Sequence, residues 1–285
     1  MTIGKVLVSG ADGRIGRVTV GELIDHGYDV TPADKEGKQR WDTQLVDFED
    51  LGQVVGVMRG HDAVIHLAAI PSPMAHTADV VFRNNVISTF NVLEAAAILD
   101  IKHVVLASSV SALGYAFRFR HFNPAYLPID EAHPALSQDC YGLSKMVGET
   151  LAEGFSRRLP DMSLASLRFT TVIDDEAQGW LRAARGGPTR DDEPYGAFWT
   201  FVDARDAASA CRLAMAYTRP GHEAFNICAP FTYREEDTRE LLARHFPGGY
   251  PVASELKGRA SPVDPGKAER LLGWKARYNW DRSPL

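Results

Sequence analysis

Tyr141 and Lys145 stand four residues apart in the stretch YGLSK, a spacing that places both side chains on one face of a helix. A phenol titrates near pH ~10 and is a poor base at neutral pH. A neighbouring ammonium stabilises the phenolate, which turns the pair into a candidate acid/base unit for a hydroxyl or carbonyl substrate. Upstream, SGADGRIG carries Gly10, Gly13 and Gly16 in a G-x-x-G-x-x-G pattern. Glycines between a strand and a helix let a phosphate approach the free N–H groups and positive dipole end of the helix. Asp34 follows 18 residues after Gly16, where a carboxylate would accept hydrogen bonds from the adenosine ribose hydroxyls. It would also repel a 2′-phosphate, so NAD is favoured over NADP. Lys35, Lys38 and Arg40 lie close behind and oppose that preference.

These residues need a scaffold, and the chain supplies strands alternating with helices. Strands are expected at Lys5–Ser9, Tyr28–Ala33, Gln44–Phe48, Ala63–Leu67, His103–Ala107 and Ser163–Arg168. Helical periodicity covers Ile15–His26, Leu51–Met58, Val80–Leu99 and Tyr141–Arg158. Such alternation implies right-handed crossovers and a Rossmann-type α/β fold, a doubly wound parallel sheet. After Val172 the rhythm breaks. Residues 174–196 are polar and rich in Gly and Arg, and read as a lid or part of a second lobe. Helix Ala204–Tyr217, strand Ala224–Cys228 and helix Arg234–His245 then restore the pattern. The expected division is a cofactor domain from 1–172 and about 201–229, interleaved with a small substrate lobe from about 173–200 and 230–285.

Composition narrows the classes. The chain has 285 residues, 45% hydrophobic and 24% charged, with a formal net charge of −6; a sizeable core is available and no basic stripe offers a nucleic-acid surface. No stretch approaches the roughly 18 apolar residues of a membrane span, and MTIGKVLVSG lacks the apolar core of a signal peptide. Cytoplasmic location is the default expectation. Cys140, Cys211 and Cys228 are too scattered for a disulfide framework or zinc site, and no metal is expected. His66 and His103, in or beside apolar strands, read as core residues.

Taken together the motifs resemble the extended short-chain dehydrogenase/reductase family, the NAD-dependent epimerases and dehydratases. The match runs almost end to end: SGADGRIG, VDFED, HLAAI, NNVISTFNVLEAA, VVLASSVSALGY, YGLSK, SLRFTTV, FVDARDAA, AFNICAP and DPGKAERLLGW occur in the family's order. The resemblance implies an enzyme in which Tyr141 is the general acid/base and Lys145 lowers its pKa and holds the nicotinamide ribose. Ser109, identified by its spacing to Gly114, would hydrogen-bond the same substrate oxygen. It implies cofactor contacts from Gly10, Asp12, Gly13, Arg14, Ile15 and Gly16 in the glycine loop. Asp34, Asp47 and Phe48 would lie at the adenosine, and Leu67, Ala68, Ala69, Asn85, Ala107 and Phe169 complete the cofactor set.

Departures from the family bear on substrate. Val110 and Ser111 follow Ser109 where 4,6-dehydratases carry Asp and Glu, which argues against that chemistry; uronate dehydrogenases carry Asn-His there. Fewer than thirty residues separate Val172 from Phe201, so a compact lobe points to a small substrate, a sugar or sugar acid. Candidate substrate contacts are Ser109, Val110, Ser111 and Arg182; Arg185 and Arg190 in the same lid could clamp a carboxylate or phosphate, or simply be solvated. The apolar stripe of Val81, Val86, Phe90 and Leu93 with Met146, Val147, Leu151 and Phe155 reads as core or as a dimer face, and the resemblance implies a homodimer built on these helices. The leading expectation is a sugar dehydrogenase. A nucleotide-sugar epimerase would use the same residues, and a non-catalytic NAD-binding regulator would tend to lose the Tyr–Lys pair kept here.

Overall fold

The computed structural model describes residues 3–37, 41–186, 198–254 and 256–285. Nine strands, β1 (Lys5–Ser9), β2 (Asp29–Asp34), β3 (Gln44–Leu45), β4 (Ala63–His66), β5 (His103–Ser109), β6 (Ser163–Phe169), β7 (Thr171–Ile173), β8 (Phe201–Asp203) and β9 (Gly221–Ile227), are present among these residues. Eight α-helices join them: α1 (Gly16–Asp25), α2 (Leu51–Met58), α3 (Ala78–Leu99), α4 (Cys140–Arg158), α5 (Asp175–Gly186), α6 (Ala204–Ala216), α7 (Thr238–His245) and α8 (Gly266–Leu272).

Seven strands form one parallel sheet in the order β3-β2-β1-β4-β5-β6-β9. The fold class is the one expected. Alternate side chains of the central strands feed two separate cores, as strand geometry requires. Val6 and Val8 of β1 pack with α1, α6 and α8 residues such as Leu23, Ala207 and Leu272 on one face. Leu7 packs with Val54, Leu93 and Phe155 of α2, α3 and α4 on the other. Because both faces are covered, the strands read as continuous apolar runs.

The sheet order reverses between β1 and β4. At such a switch point the two outgoing loops diverge and open a crevice at the carboxyl ends of the strands. A separate core cluster gathers Leu127, Ile129, Phe198, Trp199, Tyr233, Leu241 and Trp280 with Leu113 and Tyr115. The pair β7–β8, also parallel, contributes Ile173 and Phe201 to it.

Boundaries differ from expectation in instructive places. The expected third strand shrinks to two residues, after which the chain turns at Asp47–Asp50 through side-chain bonds from Asp47 and Asp50. The polar segment after Ile173 opens as α5, capped by Asp174, whose Oδ1 accepts from Ala177 N at 2.9 Å. The helix expected from Arg234 starts only at Thr238, because Asp237 caps it through Arg239 N at 2.8 Å. Within the described residues no helix is long and apolar enough to cross a membrane, and no cluster of His, Cys, Asp and Glu could hold a metal ion.

Candidate active site

The glycine loop is built by close approach of the chain to itself. Gly10 adopts φ +67°, and a Cβ there would lie 2.6 Å from Ala68 N. A Cβ on Gly16 would lie 1.9 Å from the Gly10 carbonyl oxygen. Both glycines are therefore demanded by backbone packing between β1, α1 and the loop after β4. Gly13 is different: it is exposed, and its Cβ would meet only Gly10 O, at 3.1 Å. Gly13 is the position whose missing side chain leaves room on the open side.

Helix α1 starts without a side-chain cap or an acidic residue in its first turn. Its N-terminal dipole is left available to an anion, which suits a pyrophosphate. Asp34, at the end of β2, accepts from Asp12 N at 3.0 Å through Oδ2 and from Lys35 N at 2.7 Å through Oδ1. That holds its carboxylate beside the glycine loop. Lys35 Nζ pairs with Asp47 at 3.8 Å, and Phe48 is buried against the His66 ring, with centroids 5.7 Å apart. Lys38 and Arg40 lie outside the described residues.

Ser9, at the end of β1, ties the start of the glycine loop to the loop after β4. Its Oγ accepts from Leu67 N at 3.1 Å and Ala68 N at 3.2 Å. Its single proton is thereby directed to His66 Nδ1, 2.7 Å away, and burial holds His66 neutral, with its pKa down at about 3. His66 is the core residue that the sequence suggested. Asn85, expected at the cofactor, spends its side chain inside the protein. Oδ1 accepts from Ile70 N at 2.8 Å, while Nδ2 donates to Ile70 O and to Ser144 Oγ, each at 3.1 Å. Its visible work is to join the loop after Ala69 to the helix that carries Tyr141.

That helix, α4, begins at Asp139, whose Oδ1 accepts from Tyr141 N and Gly142 N, both at 2.9 Å. Gly142 is required next: a Cβ would sit 2.5 Å from Ser111 O. The first turn of α4 thus presses onto the 3-10 turn Val110–Leu113 that follows β5. As a result the Tyr141 hydroxyl is hydrogen-bonded to the Ser109 side chain. Ser109 Oγ also accepts from Ser111 N at 3.1 Å. Lys145, one turn on, donates from Nζ to Ala107 O at 2.7 Å and stands 5.7 Å from the Tyr141 ring centre.

Electrostatics here run against the simplest expectation. Burial pushes the Tyr141 phenol up to about 12, with the nearby Asp139 carboxylate adding to the rise and Ser109 opposing it. Burial also pulls Lys145 down to about 8, opposed by Glu149. Desolvation penalises each charged form more than the neighbouring groups repay.

Other expected positions fall as follows. Leu67, Ala68, Ala69 and Ala107 are half-buried at the ends of β4 and β5, and Phe169 is buried at the end of β6. Val110 and Ser111 are buried, Val110 within the second core cluster. Arg14 is exposed, with Nε 3.0 Å from Asp174 Oδ2; Ile15 is half-buried beside it. Arg182 is exposed on α5, remote in sequence from the Ser109–Tyr141 pair. Arg190 and the Arg185 side chain lie outside the described residues. The sequence reading missed Asp139, Gly142, Glu149 and Asp174. A capping aspartate two residues before the Tyr, and a glycine directly after it, were visible signals for the first two.

Comparison with known proteins places the chain in a family. The model of the NAD dependent epimerase/dehydratase family matches residues 6–228. An L-arabinose 1-dehydrogenase (NAD(P)(+)) of Haloferax volcanii is 32% identical over 64% of this chain and 69% of its own length. A putative UDP-glucose 4-epimerase of Methanocaldococcus jannaschii is 33% identical over 95% of this chain and 92% of its own. Among solved structures, MoeE5 in complex with UDP-glucose and NAD superposes with TM-score 0.73 at 25% identity, covering 97% of this chain and 94% of MoeE5. A mutated uronate dehydrogenase shares the fold, with TM-score 0.68 at 19% identity over 98% of this chain and 84% of that one. The chain belongs to the NAD dependent epimerase/dehydratase family, is an enzyme of the extended short-chain dehydrogenase/reductase type, and takes NAD as its cofactor.

Proposed function

We propose that the protein is an NAD-dependent dehydrogenase acting on a secondary alcohol or carbonyl of a sugar or sugar acid. The observation carrying this reading is the Tyr141–Ser109 hydroxyl pair beside Lys145, at the carboxyl end of β5. In this reading Ser109 and Tyr141 grip one substrate oxygen, Tyr141 exchanges its proton, and Lys145 stabilises the phenolate and holds the ribose. The chemistry that bound NAD supplies is hydride acceptance or donation at the carbon bearing that oxygen. The glycine loop, Asp34, Asp47 and Phe48 bind and orient the cofactor, with Leu67, Ala68, Ala69, Ala107 and Phe169 lining its nicotinamide half. Asp34 selects NAD against NADP.

In this reading the substrate lobe comprises about 173–200 and 230–285, and residues such as Trp199, Tyr233 and Leu241 pack there with Leu113, Tyr115, Leu127 and Ile129; Val110, Ser111 and Arg182 are the candidate substrate contacts. Exposed Ile87, Phe90 and Ile98 on α3 support a homodimer packed through α3 and α4. Absence of a basic stripe supports a small-molecule partner rather than nucleic acid, and a cytoplasmic setting fits this chemistry.

The relative from Methanocaldococcus jannaschii, matched over nearly the whole chain, favours a second reading as a nucleotide-sugar epimerase with the same residues. A screen of free sugars, uronates and UDP-sugars with NAD, followed by NADH absorbance and product analysis, separates the two. A dehydrogenase accumulates NADH with its substrate; an epimerase converts a UDP-sugar with none.

A further inference from the structure

Tyr141, Lys145 and Glu149 occupy successive turns of one face of α4. The third is a buried carboxylate that the acid/base chemistry does not use. Its partners come from two strands below it. Arg168 of β6 grips it with two bonds, Nε to Oε1 at 2.9 Å and Nη2 to Oε2 at 2.7 Å. Ser108 of β5 donates to Oε1 at 2.5 Å. Arg168 in turn reaches Glu131 O at 3.2 Å, and Glu131 Oε1 accepts from Asn226 N at 2.8 Å. Ser108 directly follows Ala107, whose carbonyl receives Lys145 Nζ.

A buried ion pair of this kind is a poor source of stability, since desolvation offsets most of its attraction. Its fixed geometry is better explained by what the carboxylate does to its neighbour on the helix. We propose that Glu149, locked by Arg168 and Ser108, is a positioning residue that keeps Lys145 cationic and aimed at the Ala107 carbonyl. This rests on the reading that Lys145 works beside Tyr141 as an ammonium.

The argument is one of competing fields. Burial strips water from Lys145 and favours its neutral amine, and Glu149 is the charge that opposes this. Arg168, bonded to both carboxylate oxygens, prevents Glu149 from swinging toward Lys145 to form a direct bond that would pull Nζ off Ala107. Other titratable or charged groups surround the pair, with Glu153, Glu223 and Lys267 near His222 and Asp130 near Arg168. His66, from β4, is held neutral and lies on the Lys145 side. Glu131, before α4, has its carboxyl raised by burial, and His222, from β9, faces Glu149 and is lowered by burial. Tyr141 titrates near 12, above Lys145. Between neutrality and pH ~10, Lys145 is the group in this cluster expected to change charge.

The test reads Lys145 directly, without a substrate. The protein is labelled with 13C at lysine Cε, and the Lys145 resonance is assigned by its loss in Lys145→Met and titrated by NMR. Glu149→Gln is expected to lower the Lys145 midpoint by about one pH unit, the low end of the effect of a close charge. Because Glu149→Gln leaves a buried arginine charge without its carboxylate, the double variant Glu149→Gln/Arg168→Gln, which retains hydrogen-bonding groups and removes both charges, is titrated alongside. Its Lys145 midpoint is expected to fall too, by a smaller amount. A Lys145 midpoint within about 0.2 units of wild type in the folded double variant would overturn the proposal, because a purely structural pair leaves the lysine unmoved. Failure of the acid/base reading would show separately, as turnover retained in Tyr141→Phe.

Discussion

The Lys145 ammonium stands 5.7 Å from the centre of the Tyr141 ring, near enough to feel a phenolate but bonded instead to the Ala107 carbonyl. Burial moves the two groups in opposite directions, the phenol up to about 12 and the ammonium down to about 8. A positive charge brought beside the phenol would act to lower it.

That geometry sets a stability signature. Lys145 titrates near pH ~10.4 in an unfolded chain and at about 8 in the fold. The unfolded state therefore holds more protons between those values, and stability rises with pH across the window. Below it the cost of the buried ammonium is fully present. Lys145→Met removes that cost, so at pH 7 the variant should melt a few degrees above wild type, and the gap should close as pH rises from 8 towards 10. Melting curves across this range check it; a Lys145→Met protein less stable at every pH would contradict it.

The glycines of the loop should separate by role. Gly16→Ala forces a Cβ into the Gly10 carbonyl and Gly10→Ala adds strain at positive φ, so both should lose stability by about 2 kcal/mol or more along with NAD binding. Gly13→Ala should keep its melting temperature within a few degrees yet bind NAD at least about tenfold more weakly, since its Cβ intrudes on the open side. Calorimetric titration beside thermal melts distinguishes these patterns.

Asp34 should set cofactor choice. A charge-assisted hydrogen bond contributes about 1.5–3 kcal/mol, so Asp34→Ala should raise the NAD dissociation constant roughly 10- to 100-fold and narrow or reverse the gap to NADP. Wild-type protein that binds NADP as tightly as NAD would remove Asp34 from this role.

Self-association should depend on α3. Ile87, Phe90 and Ile98 are exposed on it, and a double change Ile87→Asp/Phe90→Asp should convert a homodimer into a folded monomer in sedimentation at micromolar concentration. A 31.3 kDa wild-type monomer would rule the interface out.

The sheet was readable because Val6–Val8, Ala63–Ile65 and Val104–Leu106 are apolar on both faces and separated by helical periods. The glycine turn before α1 and the helix start at YGLSK were readable because each depends on local spacing. What stayed hidden depends on contacts between distant segments. Nothing local in SLRFTTVID says that Arg168 meets Glu149, or that Asp174 meets Arg14 and Arg17. Asn85 was legible as a polar residue in an apolar helix, but its partners Ile70 and Ser144 are not adjacent to it in sequence. The direction of the Tyr141 shift was also illegible, because burial of the phenol is a property of the packed site.

The most direct test is Tyr141→Phe. Only one hydroxyl is lost from a residue packed in place, so fold and NAD affinity should stay close to wild type. Positioned acid/base groups contribute on the order of 10²–10⁴-fold in rate. With a substrate found by the sugar screen, turnover and NAD affinity are measured on the same preparations. Turnover should fall at least about a hundredfold with NAD affinity preserved. A Tyr141→Phe enzyme keeping more than about a tenth of wild-type turnover would contradict the assignment of Tyr141 as the group that carries the proton.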